Sequence, residues 1–127
     1  MSKTASLLIV MVALGMAGPA MAQSIKRTPL QTFDVRGTHF ETVIGLVEIV
    51  PNVTVGRLTH PGPESGYILE GEVTLSVKGQ PNKLLKPGES YQVPASAVHD
   101  ARSGARGVKA LVTYVVDKGQ PLDLRAD

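Results

Sequence analysis

Chemistry near neutral pH in this chain must rest on histidines and carboxylates, because its 127 residues include no cysteine. That absence removes a thiolate nucleophile, a disulfide framework and any cysteine-based zinc or iron–sulfur site. The histidines are His39, His60 and His99. The informative stretch is Leu58-Thr59-His60-Pro61-Gly62-Pro63-Glu64, where His60 and Glu64 stand four apart. On a helix that spacing would put them on one face, but Pro61, Gly62 and Pro63 forbid the helix. The pair must instead bracket a tight loop, with His60 ending one strand and Glu64 opening the next. An imidazole and a carboxylate aimed at one point suit a metal ion. Taken alone, the plainer reading is a surface His and a surface Glu flanking a Pro-Gly loop.

The other polar residues argue for less. His39, in Thr38-His39-Phe40, reads as a solvated side chain at a strand edge. Asp100 follows His99 directly, and adjacent strand residues face opposite ways, so a Ser-His-Asp relay has little support. No Gly-x-Ser-x-Gly turn exists to carry a nucleophilic serine. Gly104-Ala105-Arg106-Gly107 lacks the Lys-Ser/Thr of a phosphate-cradling loop. Arg57 neighbours Leu58 and takes a surface position by alternation.

These residues need elements to position them. The first 22 positions read as a secretory signal peptide. Lys3 gives a positive start, Leu7 to Ala17 is uncharged and almost wholly apolar, and Ala20-Met21-Ala22 is a small-x-small cleavage pattern. The apolar run would span only about 16 Å as a helix, about half a bilayer's hydrocarbon core, so a membrane anchor is not expected. Cleavage after Ala22 would release a periplasmic or secreted chain covering 23–127. All four methionines, Met1, Met11, Met16 and Met21, lie in the leader. What remains is 127 − 22 = 105 residues, enough for one small domain. Removing Lys3 from the 13 basic residues leaves 12 against 11 acidic ones, and there are only five aromatics. Nothing in that balance suggests a nucleic-acid partner.

Short β-rich runs recur along 23–127, divided by turn signals, which is an all-β pattern. Strands are expected near Thr32–Val35, Phe40–Val50, Val53–His60, Gly66–Glu70, Glu72–Val77, Lys83–Leu85, Ser90–Val93 and Val108–Val116. Pro51-Asn52 and Lys86-Pro87-Gly88-Glu89 have tight-turn chemistry. Val73, Leu75 and Val77 share one face of their strand. Val108–Val116 is apolar at both parities, so it is expected to be covered on both sides. The charged tail from Asp117 to Asp127 is expected to be peripheral or frayed.

The stretch from Asn52 to Ser103 resembles the two motifs of the cupin superfamily, G-x5-H-x-H-x(3,4)-E-x6-G and G-x5-P-x-G-x2-H-x3-N. Asn52, Leu58, His60, Glu64 and Gly71 align with the first, of which His60, Glu64 and Gly71 match. Gly88, Pro94, Ser96, His99 and Ser103 align with the second, of which Gly88, Pro94 and His99 match. The resemblance implies a double-stranded antiparallel β-barrel, the cupin or jelly-roll fold, in agreement with the strand pattern. It also implies one divalent metal ion, iron, manganese, nickel or zinc, held inside the barrel. His60, Glu64 and His99 correspond to three of the family's four usual ligands, and Leu58 stands at the fourth. Two residues before His60, Leu58 faces the same way, into the barrel. Tyr67 and Tyr91 are further pocket-lining candidates. Two readings follow: a metal site with open positions for a small-molecule ligand or substrate, or a metal-poor polar pocket. As an enzyme, the protein would be a metal-dependent oxygenase or isomerase; otherwise it would bind or sense a small ligand. Cupins commonly pair through edge strands, so a homodimer is expected.

Overall fold

A computed structural model describes residues 24–127; the expected leader and its cleavage site lie outside the described residues. Eight strands follow in order: β1 (Ile25–Asp34), β2 (Phe40–Ile49), β3 (Leu58–Thr59), β4 (Glu64–Val77), β5 (Lys83–Leu85), β6 (Ser90–Val93), β7 (His99–Asp117) and β8 (Leu124–Arg125). Among the described residues there is no helix, so none that could cross a membrane.

Two long strands organise the fold. β4 and β7 pair antiparallel from Glu64↔Tyr114 to Val77↔His99. One half of this ribbon is extended by β1 and β2 beside the later part of β7, with β6 beside the start of β4. The other half is extended by β3 and β8 beside His99, and by β5 beside Val73–Leu75. The sheet therefore curls on itself as a jelly-roll barrel, and every ladder among the described residues is antiparallel.

The curl has a local cause. In β4, Glu64, Gly66 and Ile68 are buried while Ser65, Tyr67 and Leu69 are exposed. Register then slips between Ile68 and Glu70, so inward positions become odd-numbered and Val73, Leu75 and Val77 fill the core. One extra residue in a strand does this, because side chains alternate with period two. At the bend Gly71 and Gly107 both have positive φ, and a Cβ on Gly71 would lie 2.0 Å from the Gly107 carbonyl oxygen. Only glycine lets the two backbones approach there. Ile68, Val93 and Val112 are the most enclosed large side chains.

The strands differ from expectation in places with clear reasons. β1 starts at Ile25 rather than Thr32, with its irregularity at Pro29/Gln31, as suits a proline on an edge strand. Gly66–Glu70 and Glu72–Val77 are one strand running through Gly71. The expected strand Val53–His60 is reduced to Leu58–Thr59 and a bridge at Thr54, since Gly56 at φ 98 interrupts it. β7 begins at His99 because its polar first half is paired on both sides. The tail is not simply peripheral: its strand β8 pairs with β3. Of Val108–Val116, the even positions are buried but Leu111 is 36% exposed, so the outer side is open in the single chain.

Candidate metal centre

His60 follows β3 and Glu64 opens β4, so the Pro61-Gly62-Pro63 loop alone sets their separation. The loop lies against β7: the Val115 N–H donates to the Pro63 carbonyl at 3.2 Å. A Cβ on Gly62 would fall 1.4 Å from the Val115 carbonyl oxygen, so this position must be glycine. His99 comes from the start of β7, directly opposite Leu58 in register. His60, Glu64 and His99 are all buried.

Their orientation is fixed from behind. His60 Nδ1 lies 2.8 Å from the Leu122 carbonyl and 3.1 Å from Asp123 Oδ1. His99 Nδ1 lies 2.9 Å from the Ala97 carbonyl. Carbonyls and carboxylates only accept, so each Nδ1 carries its hydrogen and each neutral ring presents a bare Nε2 lone pair. Both Nε2 atoms face Glu64 Oε2, at 3.7 Å from His60 and 3.4 Å from His99. Tyr91 donates its hydroxyl to the other Glu64 oxygen at 3.3 Å. With both rings neutral, three buried acceptors thus converge, a set that repels itself unless a metal ion or a proton on a ring nitrogen sits among them.

The donors fit a divalent ion. Ligands about 2.0–2.2 Å from one ion stand about 3–4.3 Å apart, a span that contains both nitrogen–oxygen separations. The three ligand atoms all lie within 4.8 Å of one another, so the widest pair would close by about half an ångström onto an ion. Two imidazoles and one carboxylate, with the Nδ1 positions held by outer partners, form a nitrogen–oxygen site open to iron, manganese, nickel or zinc.

Electrostatics around the site show that a proton on His99 competes for the same position. For His99, burial works to lower the pKa, but the hydrogen bond to Glu64 and the Ala97 carbonyl outweigh it, and the net shift is upward. Burial and the Glu64 charge push Tyr91 and Tyr114 upward, so both stay protonated. Asp123 is resisted by burial, yet hydrogen bonds from His60 and Arg27 hold it at about 2. It remains a carboxylate across the working range of most proteins.

A cavity of about 70 Å³ runs from these polar groups into the apolar core. Leu58 and Tyr91 line it, together with Arg27, Tyr114 and the three candidate ligands. Leu58 is 4% exposed and presents hydrocarbon where a fourth ligand would stand. Tyr67 corrects the expectation made for it: 46% exposed, it lies on the outer face with Ser65 and Leu69, opposite the buried Gly66 and Ile68. His39 is exposed, as is Arg57. Asp100 accepts the Gly56 N–H at 2.9 Å, which ties down the segment before β3.

Three contributors escaped the sequence reading. Arg27 on β1 pairs with Asp123 at 2.8 Å, and Leu122 and Asp123 come from the tail. No motif joins them to His60, and no periodicity marks them. Tyr114, whose ring meets that of His60 edge-on at 4.9 Å, lay within the expected strand Val108–Val116 with nothing to mark it as part of the site.

The chain belongs to the cupins: the cupin domain matches residues 45–121. Among curated proteins it is 33% identical over 64 residues to the HTH-type transcriptional regulator PuuR of Escherichia coli, covering 50% of this chain and 34% of that protein. It therefore spans about a third of the length of that relative. Among solved structures, DMSP lyase DddQ from Ruegeria pomeroyi superposes with a TM-score of 0.63 at 25% identity, over 67% of this chain and 43% of that one. TT1209 from Thermus thermophilus superposes with a TM-score of 0.59 at 27% identity, over 73% and 84% of the two chains.

Proposed function

We propose that this cupin is an exported protein that holds one divalent metal ion through His60, Glu64 and His99, and binds a small oxygenated molecule at the remaining coordination positions. The observation that carries the reading is the convergence of three buried acceptors whose rings are locked with Nε2 inward. A bound ion would supply Lewis-acid chemistry or, if iron, oxygen chemistry. The chain's own contribution is to present the ligands, exclude bulk water with Leu58 and the apolar walls, and keep Tyr91 as a hydroxyl donor to Glu64.

The test is elemental analysis of the purified protein beside His60→Ala. Near-stoichiometric metal in the parent, lost in the variant, is expected. A parent that stays metal-free after incubation with iron, manganese, nickel and zinc ends the reading.

A second reading, a ligand-binding or sensing module without turnover, has one observation in its favour: half of the chain is similar to part of a transcriptional regulator. Ligand-induced stabilisation with no product, followed with small diols, phenolics and organic acids, would favour the sensor. Oxygen consumption or isomerisation would favour the enzyme.

Export rests on the leader pattern of Lys3 to Ala22 and would be tested by amino-terminal sequencing of protein recovered from the periplasm, which should begin at Gln23. We further propose a homodimer formed on the outer sheet face, where Tyr67, Leu69 and Leu111 lie 36–46% exposed.

A further inference from the structure

Arg27 is the feature that the metal reading leaves unused. It comes from β1, opposite Val47, and its side chain reaches the same cavity as His60, Glu64 and His99. Asp123 binds both groups at once: Oδ2 lies 2.8 Å from Arg27 Nη1 and Oδ1 lies 3.1 Å from His60 Nδ1. The guanidinium is therefore fixed at the cavity mouth, on the same carboxylate that orients a candidate metal ligand. Its side chain is 35% exposed, open enough to meet an incoming molecule. Among the described residues it makes no other ion pair or side-chain hydrogen bond, so one edge of its planar fork is committed and the rest is available.

Charge gives the class of molecule. A divalent ion and Arg27 bring +3 and Glu64 and Asp123 bring −2, while Asp100, which also lines the cavity, has its carboxylate engaged by the Gly56 and Ala101 N–H groups at 2.9 and 2.7 Å. Within the group formed by the ion, Arg27, Glu64 and Asp123, one positive charge is left over beside walls built from Val47, Ile49, Val112 and other apolar side chains. Surplus charge next to a low-dielectric wall is best answered by a single anion. A carboxylate suits both partners, since its oxygens can ligate a metal and accept from a guanidinium fork. The apolar walls favour a short hydrocarbon tail behind it.

We propose that the ligand of this site is a short-chain monocarboxylate, anchored by Arg27 with its carboxylate toward the metal position. The proposal rests on the metal reading above and narrows it to a substrate class.

The test uses the zinc-loaded full chain, with propionate and its neutral isostere propionamide as probes. Binding is read by calorimetric titration and metal content by elemental analysis. Propionate is expected to bind the parent, propionamide to bind at least about tenfold more weakly, and Arg27→Met to lose a similar factor for propionate with its zinc retained. Equal binding of acid and amide overturns the proposal, as does an Arg27→Met protein that binds propionate like the parent, or a parent that binds neither probe. Should Arg27→Met lose zinc through its effect on Asp123, Arg27→Lys decides, because it keeps a cation for Asp123 without the planar fork. Weakened propionate binding in zinc-loaded Arg27→Lys supports the anchor, and unchanged binding removes it. A parent that takes up no zinc ends the metal reading by itself. The same titrations on metal-free protein then judge Arg27 separately: Arg27-dependent propionate binding keeps the anchor, and its absence overturns it.

Discussion

Leu58 is the residue that separates this site from a four-ligand centre, and its surroundings make the difference testable. It pairs directly with His99 across β3 and β7, so the two side chains share a face at the close spacing of cross-strand neighbours. A histidine placed there would point at the same ion. Leu58→His is therefore expected to tighten metal binding, read by competition with a chelator. Without metal it should cost about 1–3 kcal/mol in denaturant unfolding, because a buried imidazole would replace hydrocarbon with no partner assured. Opposite signs in the two states distinguish a ligand from a packing change. Asp123 gives a complementary case. It touches no metal position, but with the Leu122 carbonyl it holds the hydrogen of His60 on Nδ1. Asp123→Ala should leave the fold's circular dichroism unchanged and weaken metal affinity about 10–100-fold, the usual effect of removing an outer partner of a ligating histidine.

The elements explain how much of this could be read in advance. Turn chemistry was legible where one residue type answers one backbone need: Asn52 and Gly88 both take positive φ at the expected turns. The inward set Val73, Leu75 and Val77 was legible by alternation alone. The first half of β7 was not, since His99 to Arg106 has no strand-like composition, and His99 to Ser103 is held by its ladder with β4 and by single bridges to Leu58 and Thr54. The inward ligands of the centre follow from motif spacing, whereas Arg27 and Asp123 reach it only because β1 and the tail are brought together by pairings distant in sequence. The loop between β3 and β4 carries the sharpest local constraint. Gly62→Ala places a methyl group into the Val115 carbonyl, so the loop must withdraw from β7 and carry His60 and Glu64 with it. A loss of about 2–4 kcal/mol is expected, together with loss of metal from the fraction that still folds. Chemical denaturation and elemental analysis of one preparation check both.

At the scale of the whole molecule, the described residues close a barrel around a polar centre with no disulfide to hold it. A domain of this size buries a modest core, and one that leaves three acceptors facing each other gives up part of that stability to self-repulsion. Binding an ion reverses the sign of that term. Any ligand that binds only the folded state stabilises it according to its excess over the dissociation constant, about 2.7 kcal/mol at a hundredfold excess. For a domain near 100 residues each kcal/mol shifts the melting temperature by about 4–8 °C. Stripping the metal with a chelator is therefore expected to lower the melting temperature by about 10–20 °C, and restoring zinc to recover it. His60→Ala should melt near the stripped parent and ignore both treatments, because its remaining acceptors no longer enclose an ion. The coupling should also fade as the solution is acidified through the histidine range. Protons then compete for Nε2 of His99, whose pKa is raised in the folded chain, and metal affinity falls with the neutral fraction of that ring. A parent whose melting temperature ignores chelator at neutral pH would mean that the centre is held by its proton and hydrogen bonds alone, with Tyr91 and His99 as the donors to Glu64.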